Sequence, residues 1–132
     1  NEIIKTFSQF SSWEERYKHI IDLGKNLNPI DDAFKTEQNL IKGCQSVTYL
    51  HAKLDDGKIT YTADSEAMIV RGLAAILISV FSDHSPKEIM ESSVDFLSEI
   101  GLTTHLSQSR SNGLAAMVRQ FKNYAIAFSA LT

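Results

Sequence analysis

The run Leu73-Ala74-Ala75-Ile76-Leu77-Ile78-Ser79-Val80-Phe81 limits what this chain can fold into more than any other stretch, because it is apolar almost all round. Roughly 20 apolar residues are needed to span a bilayer, so this run is too short to do so. A helix lying on a surface keeps a polar face, whereas one without such a face must be covered on most sides. The run therefore predicts a central helix, entered through Met68 and Ile69, with Asp64 or Ser65 available to cap it. The residues before it supply something for that helix to pack on. Val47, Tyr49 and His51 alternate with Thr48, Leu50 and Ala52, the period of two that marks a half-buried strand. Asp55-Asp56-Gly57 supplies a tight turn, and Lys58 to Ala63, rich in β-branched and aromatic residues, returns as the second strand of an antiparallel hairpin.

Around this centre the chain offers further helices. Ser12-Trp13-Glu14-Glu15 has the spacing of a capping box, followed by Trp13, Tyr17, Ile20, Ile21 and Leu27 on one helical face, with Asn28-Pro29 as a stop. Residues 30–42 are patterned weakly and read as loop with a short helix, and an edge strand is conceivable between Asn39 and Lys42. Ser85-Pro86-Lys87-Glu88 is a second capping box, with proline at the first helical position. Val94 to Ile100 reads as a short helix ended by Gly101. Residues 102–113 are polar and turn-rich, their serines suited to capping, and Leu114, Met117, Val118, Phe121, Ala125 and Phe128 mark a long terminal amphipathic helix.

At 132 residues, 43% hydrophobic and 22% charged, the chain suits one domain over residues 1–132 with a sizeable core. The net charge of −3 and the absence of a Lys/Arg-rich run argue against a nucleic-acid partner. Neither a membrane span nor a leader pattern stands out, so a soluble, cytoplasmic protein is expected.

Cys44 is the only cysteine. It cannot form an internal disulfide or supply the thiolate set of an ordinary zinc or iron–sulfur site, so no metal and no cofactor of the chain's own is expected. Free cysteines are commonly small packing residues. This one instead follows Gly43 and precedes Gln45 and Ser46, in a polar turn that suits a nucleophile on a loop. Three classes of function can use it: a sulfur or acyl carrier, a Cys–His hydrolase built with His105 and Asn112 or Asp64, and a binding module in which the thiol is incidental. Arg110 and His105 in the polar segment, and Asp64, Ser65 and Arg71 around the start of the central helix, are the candidate helpers.

Four separated blocks carry a more specific signal: Trp13-Glu14-Glu15-Arg16-Tyr17; Gly43-Cys44-Gln45-Ser46; Ala63-Asp64-Ser65 with Ile69-Val70-Arg71-Gly72-Leu73; and Gly101-Leu102-Thr103-Thr104-His105-Leu106 through Ser109-Arg110-Ser111-Asn112-Gly113. In this order, over nearly the whole length, the chain resembles the SufE family of sulfur-acceptor proteins. It departs at Tyr49, where that family often has tryptophan, and at Asn112, where asparagine replaces glutamine. The resemblance implies an α+β fold, a small antiparallel sheet packed against several helices, similar to the iron–sulfur scaffold proteins. It also implies that Cys44 accepts persulfide sulfur from a pyridoxal-phosphate-dependent cysteine desulfurase, stimulates that enzyme, and passes the sulfur to an iron–sulfur scaffold or another acceptor. Gly43, Gln45, Ser46, Asp64, Ser65, His105, Arg110 and Asn112 would border the cysteine loop or contact the partner. A sister branch serves a different desulfurase and other sulfur pathways, and pairing of the chain with a second copy is left open. Because a persulfide is easily reduced or exchanged, a shielded resting thiol is expected, with Leu40, Ile41 and Val47 near enough in sequence to form its pocket.

Overall fold

Asp56 and Gly57 both adopt left-handed backbone, φ 52° and 78°, and close the hairpin that the alternating pattern predicts. Such a two-residue turn matches the twist of the strands that it joins. The computed structural model describes residues 2–27, 30–43 and 46–131. Strands β1 (Thr48–Asp55) and β2 (Lys58–Ser65) pair antiparallel from Thr48↔Ser65 to Asp55↔Lys58. Leu50, Ala52, Ile59, Tyr61 and Ala63 are buried on the inner face, while Tyr49, His51 and Thr62 sit half-buried on the other. The conceivable edge strand is reduced to one bridge, Leu40↔Tyr49, beside the bond from Ile41 N–H to Thr48 O at 2.9 Å.

Helix α3 (Met68–Phe81) is the central helix, with Ile69, Val70, Leu73, Ala74, Ile76, Leu77 and Phe81 buried. It packs on the sheet and on α2 (Trp13–Lys25). Two glycines let α2 and α3 meet: a Cβ at Gly72 would lie 2.0 Å from Ile20 O, and one at Gly24 would lie 2.7 Å from Gly72 N. Here the backbones occupy the space that side chains would otherwise need. Helix α7 (Gln108–Leu131) closes the remaining side through Leu114, Met117, Phe121 and Ala125. The buried Tyr61 hydroxyl donates to Phe121 O at 2.7 Å, and burial holds the Tyr61 phenol well above its ordinary pKa. The result is an α+β fold of a two-stranded antiparallel sheet and seven helices among the described residues.

Local chemistry sets the helix ends. Ser12 Oγ accepts from Glu15 N–H at the start of α2, and Ser85 and Glu88 form a reciprocal capping box on α4 (Pro86–Glu91). Helix α1 (Glu2–Phe7) adds an element that the sequence pattern does not announce; Phe7, only 1% exposed, ties it to the core and to the His19 ring.

Four expectations change. The start of α2 is as predicted, but Tyr17 stays 37% exposed on its surface, and the Asn28-Pro29 stop lies outside the described residues. Neither Asp64 nor Ser65 caps α3, because β2 runs through both and Ala67 is the cap residue. The short helix expected from Val94 is the four-residue α5 (Phe96–Glu99), followed by α6 (Leu102–His105). The polar residues 108–113 are not a loop but the first turns of α7, entered at Ser107, whose Oγ accepts from Arg110 N–H at 3.3 Å. A polar run without an apolar stripe leaves no helical period to detect.

Candidate functional site

The bond from Ile41 N–H to Thr48 O draws the neck of a loop closed around residues 42–47. Gly43, with φ 91°, turns the chain at its start. Only glycine adopts this backbone without strain. At the other end, the Thr48 hydroxyl is bonded to Ser46 O at 3.1 Å and shares a buried bond of 2.9 Å with Ser65 Oγ. Glu66 holds the next residue from both sides. Its Oε1 accepts from Val47 N–H at 3.2 Å, and its own N–H donates to Val47 O at 3.1 Å. Cys44 and Gln45, between these two ends in the sequence, lie outside the described residues.

Both ends of the loop rest on α7. A Cβ built at Gly43 would lie 3.6 Å from Ala116 Cβ and 3.9 Å from Arg119 Nη2. Ser46 lines a cavity of about 120 Å³ with Ser109, Arg110, Gly113, Leu114 and Met117 of α7 and with Val70 and Leu73 of α3. Arg110 Nε is buried there without a hydrogen-bond partner among the described residues. An unpartnered buried guanidinium nitrogen costs free energy unless something supplies an acceptor. The cavity thus joins an apolar wall to a waiting cation, two residues from the sole cysteine. Its wall comes from α3 and α7, while Val47, expected in a shielding pocket, is 45% exposed.

Asp64 and Ser65 lie on the other flank, in a cavity of about 220 Å³ with Lys35, Val47, Tyr49 and Glu66. Asp64 is an electrostatic hub, with Lys35 Nζ 3.4 Å from Oδ2 and Arg71 Nε 3.5 Å from Oδ1. The hydrogen bonds of Lys35 to Asp32 and to Asp64 hold its ammonium pKa above the ordinary value. Arg71 also donates to Leu27 O at 3.3 Å, so the Asp64 network ties β2 to the segment that follows α2.

His105 and Asn112 line neither cavity. The His105 ring stacks on Trp13, centroids 4.8 Å apart and planes 11° from parallel, beside Arg16, which donates to Ile100 O at 3.1 Å. This cluster joins α6 to α2. Asn112 Oδ1 accepts from Gln108 Nε2 at 3.0 Å on the exposed side of α7. The candidate helpers therefore divide: Arg110 with Ser46, Asp64 with Ser65, and His105 with Trp13. Glu66 and Arg119 carry no motif of their own, and only the three-dimensional path of the loop brings them forward. Among the described residues no group of His, Cys, Asp and Glu is arranged to hold a metal, and no helix is long and apolar enough to cross a membrane.

The family model described as "SufE: Fe-S metabolism associated domain" matches residues 1–125. The chain belongs to the SufE family. A SufE-like protein of Rhizobium meliloti (strain 1021), itself uncharacterized, is 38% identical over 130 residues, covering 95% of this chain and 93% of that one. The solution structure of a hypothetical protein from Thermus thermophilus has a TM-score of 0.79 at 20% identity, covering 96% of this chain and 92% of that one. At that identity it shows the fold alone. Membership of that family associates the chain with iron–sulfur metabolism.

Proposed function

We propose that this SufE-family chain is a sulfur acceptor in which Cys44 receives sulfane sulfur from a pyridoxal-phosphate-dependent cysteine desulfurase, stimulates that enzyme, and hands the sulfur on for iron–sulfur cluster assembly. The observation that carries this reading is the buried Nε of Arg110, without a partner among the described residues, in the cavity beside Ser46, within a family tied to iron–sulfur metabolism. A guanidinium there favours thiolate over thiol in a residue nearby. In the transfer, the Cys44 thiolate attacks the outer sulfur of the donor's persulfide. The bond between the donor's two sulfurs breaks, a new S–S bond forms to Cys44, and the donor leaves as a thiolate. No net oxidation occurs, since one persulfide replaces another. The apolar side of the cavity, Val70, Leu73, Leu114 and Met117, would exclude water and small thiols from the loaded sulfur.

The test is incubation with a cysteine desulfurase, pyridoxal phosphate and L-cysteine, followed by intact mass measurement. The reading predicts addition of one sulfur atom, stimulation of alanine release by the desulfurase, and loss of both in Cys44→Ser. A chain that gains no sulfur under these conditions is not the acceptor described.

A further inference from the structure

Two guanidiniums bracket the cysteine loop. Arg110 lies at the Ser46 end and Arg119 at the Gly43 end, nine residues apart on α7, or about 13 Å along its axis. Arg110 is turned into a small cavity, whereas Arg119 is exposed and has no hydrogen bond or ion pair with any described residue. It stands where two larger clefts meet. The first, of about 600 Å³, lies against Leu40, Ile41 and Lys42 at the root of the loop; Glu37 is its only anion, so Lys42 and Arg119 leave it net positive in a chain whose total charge is −3. The second is a groove of about 390 Å³ between α5, α6 and α7, walled by Val94, Leu97, Leu102, Leu114 and Val118, in which Arg119 is the only charged lining residue.

An apolar groove ending in an exposed guanidinium is complementary to a protein segment that presents an apolar side chain next to a carboxylate. Planar bidentate pairing makes arginine the suitable cation for that carboxylate. Whatever sits in the cleft lies against Ile41 and Lys42, at the root of the loop. A macromolecule that must reach Cys44 fits this position, whereas a second copy seated there would cover the loop.

We propose that the Arg119–Lys42 cleft and the adjoining groove are the docking site for the sulfur donor, and that they recognise an acidic, apolar-anchored segment of the desulfurase surface. The proposal rests on the sulfur-acceptor reading above. Charges at the edge of an interface act on encounter rate and salt dependence more than on the chemical step. Arg119 is thus a docking residue that leaves the reactivity of the thiol alone.

The test is steady-state loading of Cys44 by desulfurase and L-cysteine as the concentration of this chain is varied, at low and high ionic strength. Arg119→Glu is expected to raise the half-saturating concentration about tenfold and to flatten the salt dependence. The saturated rate, and the alkylation of Cys44 by iodoacetamide, stay at wild-type values. Lys42→Glu moves the half-saturating concentration in the same direction by less. Ala115→Trp, an exposed position that lines the groove, raises it without changing the far-ultraviolet circular dichroism. Unchanged half-saturation in all three variants overturns the proposal, as does an altered alkylation rate in Arg119→Glu, which would put Arg119 on the thiol. A change in self-association on sedimentation would assign the cleft to a second copy and overturn it equally. If the wild-type chain is never loaded, the acceptor reading falls first and takes this one with it.

Discussion

The residues that matter most here are polar side chains in partly buried surroundings. Arg110 has a buried nitrogen beside the cysteine loop with no hydrogen-bond partner among the described residues, and hydrogen bonds to charged groups are worth roughly 1.5–3 kcal/mol when made. Arg110→Ala is accordingly expected to slow sulfur loading of Cys44 by about tenfold or more while leaving the thermal transition in place. Single-turnover loading against a melting curve checks both halves. His51 offers a pH handle of a different kind. Its ring stacks on Phe34 at 3.7 Å between centroids, and burial pushes its pKa below the ordinary 6.5. The unfolded chain therefore binds the proton more readily than the folded one. Stability is fully present above about pH 6.5 and declines as pH falls through that value toward the lower folded pKa. The carboxylates of Glu15 and Glu88, held below 4.5 chiefly by hydrogen bonds from Ser11 and Ser85 respectively, act only in more acid solution. Calorimetric melts should thus show a decline just below neutrality that is reduced in His51→Phe, which retains the stack.

At the scale of elements, α2 and α3 are held at backbone contact by Gly24 and Gly72. Gly72→Ala puts a methyl group 2.0 Å from Ile20 O and must drive the helices apart. Overpacking of this kind costs about 1–3 kcal/mol or more, readable as a lower urea midpoint with unchanged slope; a midpoint within error of wild type would mean that the helices are less tightly apposed. The same elements show what a sequence can disclose. Alternation and an Asp-Gly turn announce the hairpin, the apolar run announces α3, and the Ser85–Glu88 box announces α4, because each signal is local. Helix α1 has no cap or strong period. The polar start of α7 resembles a loop, since Ser109, Arg110, Ser111 and Asn112 offer no apolar stripe. Asp64 and Ser65 read as caps although β2 extends through them, a case of strand pairing overriding a local preference. Of the candidate site, the motifs single out Ser46 and Arg110, which the fold brings to one cavity, whereas Cys44 lies outside the described residues. Glu66, Arg119 and the cavity wall from Val70, Leu73 and Met117 were not legible, because their relevance depends on how the loop crosses α7.

Across the whole molecule, stability is expected to be graded rather than uniform. The hairpin, α3 and the middle of α7 contribute more than half of the largest fully buried side chains, among them Leu50, Ile59, Leu73, Ile76, Leu77, Phe81 and Phe121. By contrast α5 and α6 are four residues each and open with few helical bonds. Native-state hydrogen exchange should find the slowest amides in β1, β2 and α3 and the fastest helical ones in α5 and α6. Equal protection throughout would contradict this gradient. Such an arrangement leaves a rigid platform, α3 with α7, beneath the loop that carries the cysteine. On the proposed function, sulfur comes to rest on that loop. That function is tested most directly by a single-turnover reaction with a desulfurase charged with radiolabelled sulfur, followed by digestion without reductant. Label is expected on the peptide containing Cys44, at most one atom per chain, released by dithiothreitol and absent from Cys44→Ser. Label that stays on the donor, or that reaches Cys44→Ser equally well, would contradict it.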